Sequence, residues 1–323
     1  MNRNNKPRYQ HYLPKTYLRG FRASEKEDNC YVFDVNKDEN DFINERLTPK
    51  STKKNFKNIF TEQHRHTLNI DNEKDFMIED FYCKMESLYP EFISIVHAYT
   101  FENNNVNGKL YSGIYNLSEP EISKEIKVMI TFLIYRLKCF DKEMERKKSF
   151  SSSILMREIN QAIGMTAMAL DVPKAEIINT SDWLDFSLDM SSIGFLLNYA
   201  DSKYVSEIKI AYDKVYRFIF QWMHQLAHKK CFIPFIFLAP KGHPFISSDA
   251  PFIIEADNHN EKIVFPITKG SAILINFNIE NLTKQNHAKL VLKINSKIAK
   301  NAKEAIISHD FDYLKKYIKI WSR

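Results

Sequence analysis

The sequence has few glycines and few cysteines. Only 7 of its 323 residues are glycine, and neither GxGxxG nor GxxxxGKS/T occurs, which argues against enzymes that hold phosphates in a glycine-rich loop. The 4 cysteines lie far apart and form no CxxC pair. Reduced and mostly buried thiols in a cytosolic protein are therefore expected, rather than a disulfide framework.

Long apolar runs are also missing. The longest run, around Val128–Leu137, is too short to span a bilayer and contains an arginine. Polar and basic residues follow Met1, where a secretory signal would have an apolar segment. We therefore expect a soluble cytoplasmic protein with no membrane partner.

The composition that remains is that of a globular protein. Hydrophobic residues make up 44% of the chain and charged residues 27%, so disorder is not the default expectation. The 24 Phe and 16 Tyr can fill a sizeable core. The net charge of +6 permits a nucleic-acid partner, RNA or DNA, without requiring one.

Hydrophobic periodicity divides the chain into zones. We expect an N-terminal motif and a strand, Cys30–Val35, in 8–70, helices in 74–230, short strands in 231–280 and C-terminal helices in 283–323. These zones predict a single domain, 1–323, of the α+β class. It would be a mostly helical body with a small mixed or antiparallel sheet, built from N-terminal and C-terminal strands.

Individual elements follow from the same patterns. Helices are predicted near 76–95, where Pro90 would mark a kink or break, and at 122–140, 154–170, 193–199 and 203–229. The predicted late strands are Pro234–Leu238, Pro244–Ser247, Phe252–Ile254, Lys262–Ile267 and Ala272–Asn278. A last helix would turn inward Val291, Ile294, Ile298, Ala302 and Ile306.

Arg136 is the clearest chemical anomaly, because almost every neighbour in VMITFLIYRL is apolar. A buried guanidinium is costly unless it is paired and hydrogen-bonded, so a carboxylate or a bound anion should meet it. Glu86 and Asp249 are the candidate carboxylates. Arg136 could form a structural ion pair or bind a phosphate or carboxylate group of a ligand.

The segment YQHYLPKTYLRGF, Tyr9–Phe21, places polar residues among apolar ones. His11 comes shortly before Pro14, which fixes the local backbone. This histidine is a candidate general base or metal ligand, or a half-buried residue with a backbone partner. Arg19 would lie close to it if the segment folds back.

A second segment of this kind is PFISSDAPFII, Pro244–Ile254. Asp249 follows Ser248 at a strand end and precedes Ala250 and Pro251. Such an aspartate can bind a divalent cation, orient a histidine or cap a turn. A Ser–His–Asp triad is disfavoured because no GxSxG elbow exists.

Two helix faces are further candidates. Arg217, Gln221, His224 and His228 share one face of the predicted 203–229 helix, but Gln225 stands where the HExxH zinc motif needs a glutamate. Lys289, Lys293, Lys297 and Lys300 line one face of the last helix. Such a stripe suits a phosphate backbone and is also typical of a solvated helix.

Several of these segments together resemble the bacterial family catalogued as domain of unknown function 4238. The segments run in order across about 8–308: HYLPKTYLRGF, the strand YVFDV, Glu86, Arg136, FISSDAPFII, FPIT and Asn295. The family usually has two histidines before the tyrosine, and Gln10 replaces the first. The resemblance implies a bacterial cytoplasmic protein and implies no activity.

Two functions remain open. The first is a nuclease-like hydrolase of phosphodiesters, with its active site between the HYLP and SSDAP motifs. In it His11, Asp249 and Glu86 are catalytic, Arg19, Arg136 and Ser248 bind phosphate, and Asp249 is the candidate ligand of Mg²⁺ or Mn²⁺. The second is a non-catalytic protein that binds nucleic acid or another protein, with its motifs structural. The sequence leaves the oligomeric state undetermined.

Overall fold

The structure, a computed structural model, describes residues 9–43, 46–70, 73–104, 113–140, 232–257, 260–278, 282 and 285–322. The predicted helices at 154–170, 193–199 and 203–229 lie outside the described residues, as does the histidine face from Arg217 to His228.

The described strands and helices are numbered here in chain order. They are β1 (Tyr9–His11), α1 (Lys15–Leu18), β2 (Asn29–Asp34), α2 (Glu39–Ile43), α3 (Pro49–Thr52), β3 (Lys53–Asn55), β4 (Thr61–Gln63), β5 (Leu68–Ile70), β6 (Glu73–Asp75), α4 (Met77–Asn104), β7 (Gly113–Asn116), α5 (Pro120–Arg136), β8 (Pro234–Leu238), β9 (Ser247–Ser248), β10 (Ile253–Asp257), β11 (Asn260–Thr268), β12 (Ser271–Ile275), α6 (His287–Asn301), β13 (Ala305–Ser308) and α7 (Phe311–Trp321). Short 3-10 turns lie at Arg19–Phe21, Phe56–Asn58 and Lys138–Phe140.

The chain groups into two compact units. Unit 1 takes 1–10, 63–85 and 140–227, and unit 2 takes 11–62, 86–139 and 228–323. The single domain expected over 1–323 stays a prediction. In unit 1, β5 and β6 pair antiparallel, and the amide of Gln10 donates to Thr67 Oγ1 at 2.8 Å and accepts from the His66 N–H at 2.5 Å.

The larger sheet of unit 2 has five strands in the order β10-β11-β12-β8-β7, and each neighbouring pair is antiparallel. Every residue of β12 is buried, as are the first four of β8. Both strands are therefore apolar runs without alternation, as expected for strands covered on two faces. The β8 bounds match the predicted strand, which begins at Pro234 and ends two residues before Pro240.

The second sheet of unit 2 has four strands in the order β3-β2-β13-β9. Its central pair joins the N-terminal and C-terminal parts of the chain, with Phe33 opposite Ile306. Besides these two sheets, β1 pairs with β4 in a two-stranded sheet. The predicted mostly helical body with one small sheet is therefore wrong: the protein is a mixed α+β fold with several antiparallel sheets.

Two helix predictions and one strand prediction are also corrected. α4 continues through Pro90, so the break expected there is wrong, while the alternative of a kink stays a prediction. α6 ends at Asn301, where the Ala302 N–H turns back to the Ala299 carbonyl at 3.2 Å, and Ile306 lies in β13 instead. Of the predicted strand Pro244–Ser247, only Ser247 belongs to a strand, β9. Apolar residues with helical spacing can continue past the end of a helix, so spacing alone did not locate the end of α6.

Candidate functional site

The N-terminal motif meets the SSDAP segment through Tyr17. Its buried hydroxyl lies 2.7 Å from Ser247 Oγ and donates to the Pro266 carbonyl at 3.0 Å. The Tyr17 ring stacks on Phe265, with centroids 5.3 Å apart and planes at 13°. Burial raises the pKa of Tyr17, so this hydroxyl keeps its proton. Segments that lie about 230 residues apart in the sequence are thus joined in one core.

The surroundings of Gly20 explain why the N-terminal motif has a glycine at this position. A Cβ at this position would lie 2.8 Å from the Ile267 carbonyl oxygen and 3.0 Å from Thr268 Cα. The Gly20 carbonyl accepts from the Lys269 N–H at 2.9 Å. The backbones of the N-terminal motif and of the FPIT segment therefore approach too closely for any side chain.

Arg136 is paired with one of its two predicted carboxylates. Its Nη1 lies 2.7 Å from Glu86 Oε1, and Nη2 donates to the His11 carbonyl at 2.5 Å. The Arg136 side chain is 1% exposed and that of Glu86 is 20% exposed. Arg136 of α5 thus has the carboxylate partner, on α4, that a guanidinium in an apolar helix requires.

His11 lies beside this pair, and its imidazole has a backbone partner. The Nε2 atom lies 2.9 Å from the Phe56 carbonyl, so Nε2 carries the proton and donates it. Burial lowers the pKa of His11; the Phe56 bond and Glu86 oppose this, while Lys15 and Arg136 reinforce it. The imidazole is therefore neutral near pH 7, the form that a general base requires.

Asp249 holds the backbone that leads into β13. Its Oδ1 accepts N–H bonds from Lys303, Glu304 and Ala305 at 3.1, 3.0 and 3.0 Å, and Oδ2 lies 3.3 Å from the Lys303 nitrogen. The residue is 2% exposed. Burial raises the pKa of Asp249, and the three N–H donors act against that rise. Its carboxylate binds a chain turn, as an aspartate cap does.

Ser248 and Arg19 also have local partners. Ser248 is buried in β9 and its Oγ accepts the Ala250 N–H at 3.1 Å. Arg19 is exposed and binds both oxygens of Asp28, at 3.1 and 3.0 Å. Arg19 therefore faces its own loop, although the sequence suggested that it could approach His11.

Glu304 is a central residue that sequence reasoning missed. Its Oε2 accepts a hydrogen bond from the Tyr12 hydroxyl, and its Oε1 lies 3.0 Å from Lys138 Nζ. Lys138 also lies over the Tyr12 ring, 4.8 Å from its centroid. The Glu304 backbone is in turn bound by Asp249. No sequence pattern marks a glutamate that bonds a tyrosine 292 residues away.

Asn295, a residue of the family pattern, is fully buried on α6. Its Oδ1 accepts the Ile246 N–H at 3.1 Å, and its Nδ2 donates to the Pro244 carbonyl at 2.9 Å and to Tyr317 Oη at 3.1 Å. The amide thus fixes the segment that leads into SSDAP.

The predicted site residues fall into two groups. His11, Glu86 and Arg136 are in mutual contact or close electrostatic range. Asp249, Ser248 and Arg19 each bond other residues, named above. Among the described residues, no group of three or more His, Cys, Asp or Glu side chains is arranged to hold a metal ion. The roles assigned to these residues, including cation binding by Asp249, stay predictions.

The lysine stripe lies on the solvent side of α6. Leu290, Val291, Ile294, Asn295, Ile298 and Ala299 form the buried face. Lys289, Lys293 and Lys300 are exposed, whereas Lys297 pairs with Glu255 of β10. This pair lowers the pKa of Glu255, with burial opposing and Lys293 adding to the lowering.

These contacts define an α+β protein whose sequence motifs join its N-terminal and C-terminal segments in one core. The chain belongs to the family of proteins of unknown function DUF4238, which matches residues 9–312, nearly its whole length. The family prediction is thereby confirmed. No curated protein and no solved structure matches the chain. Within the described residues, no helix has the length and apolar character needed to cross a bilayer; cytoplasmic location stays a prediction.

Proposed function

We propose that this protein is a non-catalytic nucleic-acid-binding protein and that the exposed face of α6 is its binding surface. The supporting observation is the distribution of charge. Residues 281–323 contain 10 Lys or Arg and 3 Asp or Glu, a net +7, while the whole chain has +6. The remaining 280 residues thus sum to about zero net charge, so the excess positive charge of the sequence lies in residues 281–323.

The lysines have a spacing that suits a phosphate backbone. Lys289 and Lys300 lie 11 positions apart on one continuous helix, which separates them by about 16 Å. Phosphates on one strand of a duplex rise by about 3.4 Å each, so this distance covers about five of them. No acidic residue lies on α6 to compete for the lysines.

Other polyanions suit this surface less well. A helix that inserts into an anionic membrane presents its apolar face outward, whereas the apolar face of α6 is buried against the protein. Protein interfaces are typically depleted of lysine and have an apolar centre. On α6, Leu292 is the exposed large apolar residue among the described ones, so lysine dominates this face.

The contacts of the motif residues favour a structural role over catalysis. Asp249 accepts three backbone N–H groups, Ser248 accepts one, and the Arg136 guanidinium bonds Glu86 and a carbonyl. Side chains that hold the fold in this way are not available for a substrate without breaking it. The HYLP and SSDAP motifs would then position α6.

The test is a charge reversal with a matched control. K289E/K293E/K300E removes the proposed contacts, and K50E/K54E/K57E makes the same change at three exposed lysines of α3, β3 and the following turn. Affinity for mixed-sequence RNA and DNA oligonucleotides is measured by fluorescence anisotropy at a fixed salt concentration. We expect the first variant to lose at least tenfold, because about three phosphate contacts are removed, and the second to stay within about threefold.

Equal loss in both variants would contradict a localised surface, and undetectable binding by the wild-type protein would contradict the proposed function. Vesicles of anionic lipid serve as a competitor. Displacement of the oligonucleotide by such vesicles, but not by neutral ones, would favour a membrane surface instead and would also contradict the proposal.

A second candidate, hydrolysis of phosphodiesters, is favoured by one observation: a neutral imidazole at His11 lies near a carboxylate and a guanidinium. In this case His11 is the base, Glu86 orients it or the nucleophile, and Arg136 neutralises phosphate charge. Mg²⁺ or Mn²⁺ is the expected cofactor.

The variant His11→Gln tests this candidate, because a glutamine amide can still donate to the Phe56 carbonyl. Cleavage of RNA and DNA with Mg²⁺ or Mn²⁺ is compared with cleavage in EDTA. Catalysis predicts wild-type activity that falls at least about 100-fold in His11→Gln while the melting temperature is retained. Absence of wild-type cleavage under these conditions would rule the candidate out.

A further inference from the structure

We infer that the nucleic acid is single-stranded, and that one of its bases stacks on Tyr313 at the start of α7. This inference rests on the proposed function and adds to it the class of ligand. It depends on the aromatic and apolar side chains that flank the lysines of α6, since charge alone does not distinguish a single strand from a duplex.

Tyr313 is held in place by α6 itself. Its hydroxyl accepts from the Tyr317 hydroxyl at 3.3 Å, and Tyr317 Oη accepts in turn from Asn295 Nδ2 at 3.1 Å. The same Nδ2 lies 3.5 Å from the Tyr313 hydroxyl. Asn295 projects from the same helix as the lysines, and it is anchored in turn to the Pro244 carbonyl. The half-buried ring is therefore positioned before any ligand arrives, which reduces the entropy lost on binding.

A lysine and a histidine lie close to this ring. Lys316 Nζ lies 5.6 Å from the Tyr313 centroid, and the His309 ring lies 6.3 Å from it. Burial lowers the pKa of His309, so this imidazole is uncharged near pH 7. The charge of Lys269 adds to the lowering, and that of Asp310 opposes it. A nucleotide whose base stacks on Tyr313 would thus have the ammonium groups of Lys316 and Lys269 in reach of its phosphates.

Leu292 lies between Lys289 and Asn295 on the surface of α6. The side chain is 37% exposed, and its positions i−3 and i+3 on α6 are Lys289 and Asn295. Residues three apart are neighbours on a helix surface, so an exposed apolar side chain lies between a lysine and the residue that touches Tyr313. The surface therefore presents apolar contacts beside its phosphate contacts.

A duplex cannot use these apolar contacts. Its base faces are stacked inside, and it presents phosphates and base edges. A single strand exposes base faces, which stack on aromatic side chains whatever the sequence. A ring and a leucine beside a lysine stripe therefore match a single strand, whereas a duplex would leave both without a partner.

The experiment uses the full chain and three fluorescent ligands of equal length: a single-stranded oligodeoxythymidine, a hairpin duplex, and an abasic strand that keeps the phosphates and lacks bases. Affinities are measured at one salt concentration for the wild type, Tyr313→Leu and Tyr313→Phe. Wild type is expected to bind the thymidine strand about tenfold more tightly than the abasic strand, since stacking on one aromatic side chain has about this effect.

Tyr313→Leu is expected to lose this tenfold preference, while Tyr313→Phe, which keeps the ring, retains it to within about twofold. Because both substitutions remove the Tyr313 hydroxyl and its contact with Tyr317, binding of each variant to the abasic strand serves as the folding control. Leu292→Ala, at an exposed position, provides a second test and is expected to lower the preference about twofold.

Equal wild-type affinity for the thymidine and abasic strands would overturn the stacking inference, as would tighter binding of the duplex. Either result would leave the proposed surface standing if K289E/K293E/K300E still lost affinity. Failure of all three ligands to bind would instead overturn the proposed function on which the inference rests.

Discussion

α5 and α6 both carry cations, and they place them in opposite environments. Arg136 of α5 is 1% exposed and is bound to Glu86 and the His11 carbonyl. Lys289, Lys293 and Lys300 of α6 face solvent and make no ion pair among the described residues. A buried cation without its partner would destabilise the fold, whereas exposed lysines add little to stability. The comparison separates residues that hold the protein together from residues that a ligand can bind.

The largest effect should follow from Arg136. Arg136→Ala leaves Glu86 and the His11 carbonyl without their buried donor, and removing one partner of a buried pair costs about 3–5 kcal/mol. Because Glu86 is 20% exposed, we expect the lower end of that range. Urea unfolding followed by circular dichroism measures it. A loss below about 1 kcal/mol would mean that the pair does not hold α5 to α4.

Asp249 should rank next. Asp249→Ala leaves the N–H groups of Lys303, Glu304 and Ala305 without an acceptor, and we expect a loss of about 2–4 kcal/mol in the free energy of unfolding. Asp249→Asn, which keeps one amide oxygen, should lose less. If both variants are as stable as the wild type, the carboxylate is not structural and the hydrolase candidate gains.

Gly20 tests the close approach of the two motifs. Gly20→Ala places a Cβ against the Ile267 carbonyl oxygen at 2.8 Å, which should cost about 1–3 kcal/mol through forced backbone shifts. Gly270→Ala is the matched control, because its Cβ would have only an ordinary contact of 3.8 Å with Thr268 Oγ1. Equal thermal stability of the two variants would show that the segments can separate without loss.

His11 should make stability depend on pH. Burial lowers its pKa in the folded protein below the value of 6.5 taken for the unfolded chain. As the pH falls, the unfolded state binds the proton first. The contribution of neutral His11 to the stability of the folded protein is therefore complete above pH 6.5 and is lost as the pH falls through the folded pKa. His97 is expected to act in the same direction, because burial lowers its pKa too.

Chemical unfolding at pH 7.5 and at pH 5.5 measures this dependence. The difference in unfolding free energy between the two values should be smaller in His11→Gln than in the wild type. An unchanged difference would show that His11 does not titrate differently on folding, and the neutral imidazole needed by the hydrolase candidate would lose its support.

Sequence reasoning succeeded where one residue conflicts with its neighbours. Arg136 within VMITFLIYRL required a buried partner, and Glu86 was one of two carboxylates proposed. The prediction of β8 agrees with the structure because a short apolar run that is rich in aromatic residues and begins at a proline suits a strand. The family was recognised from its motifs, and the match over residues 9–312 confirms it.

Sequence reasoning failed where the partner is a backbone group or a distant, ordinary side chain. The acceptor role of Asp249 depends on three N–H groups near residue 304, which no sequence pattern can indicate. Glu304 and Lys138 are unremarkable by type and meet Tyr12 only after folding. The sheets were underestimated because strands such as β9 and β13 span 2 and 4 residues, too short for a period of two to be recognised.

The salt dependence of oligonucleotide affinity tests the central claim most directly. For the wild type and K289E/K293E/K300E, log affinity for a single strand is plotted against log salt concentration. If the three lysines of α6 contact phosphates, the magnitude of the slope should fall by about 2 in the variant, at about 0.7 per contact on a single strand, while its melting temperature stays unchanged. Identical slopes for the two proteins would contradict the assignment of nucleic-acid binding to α6.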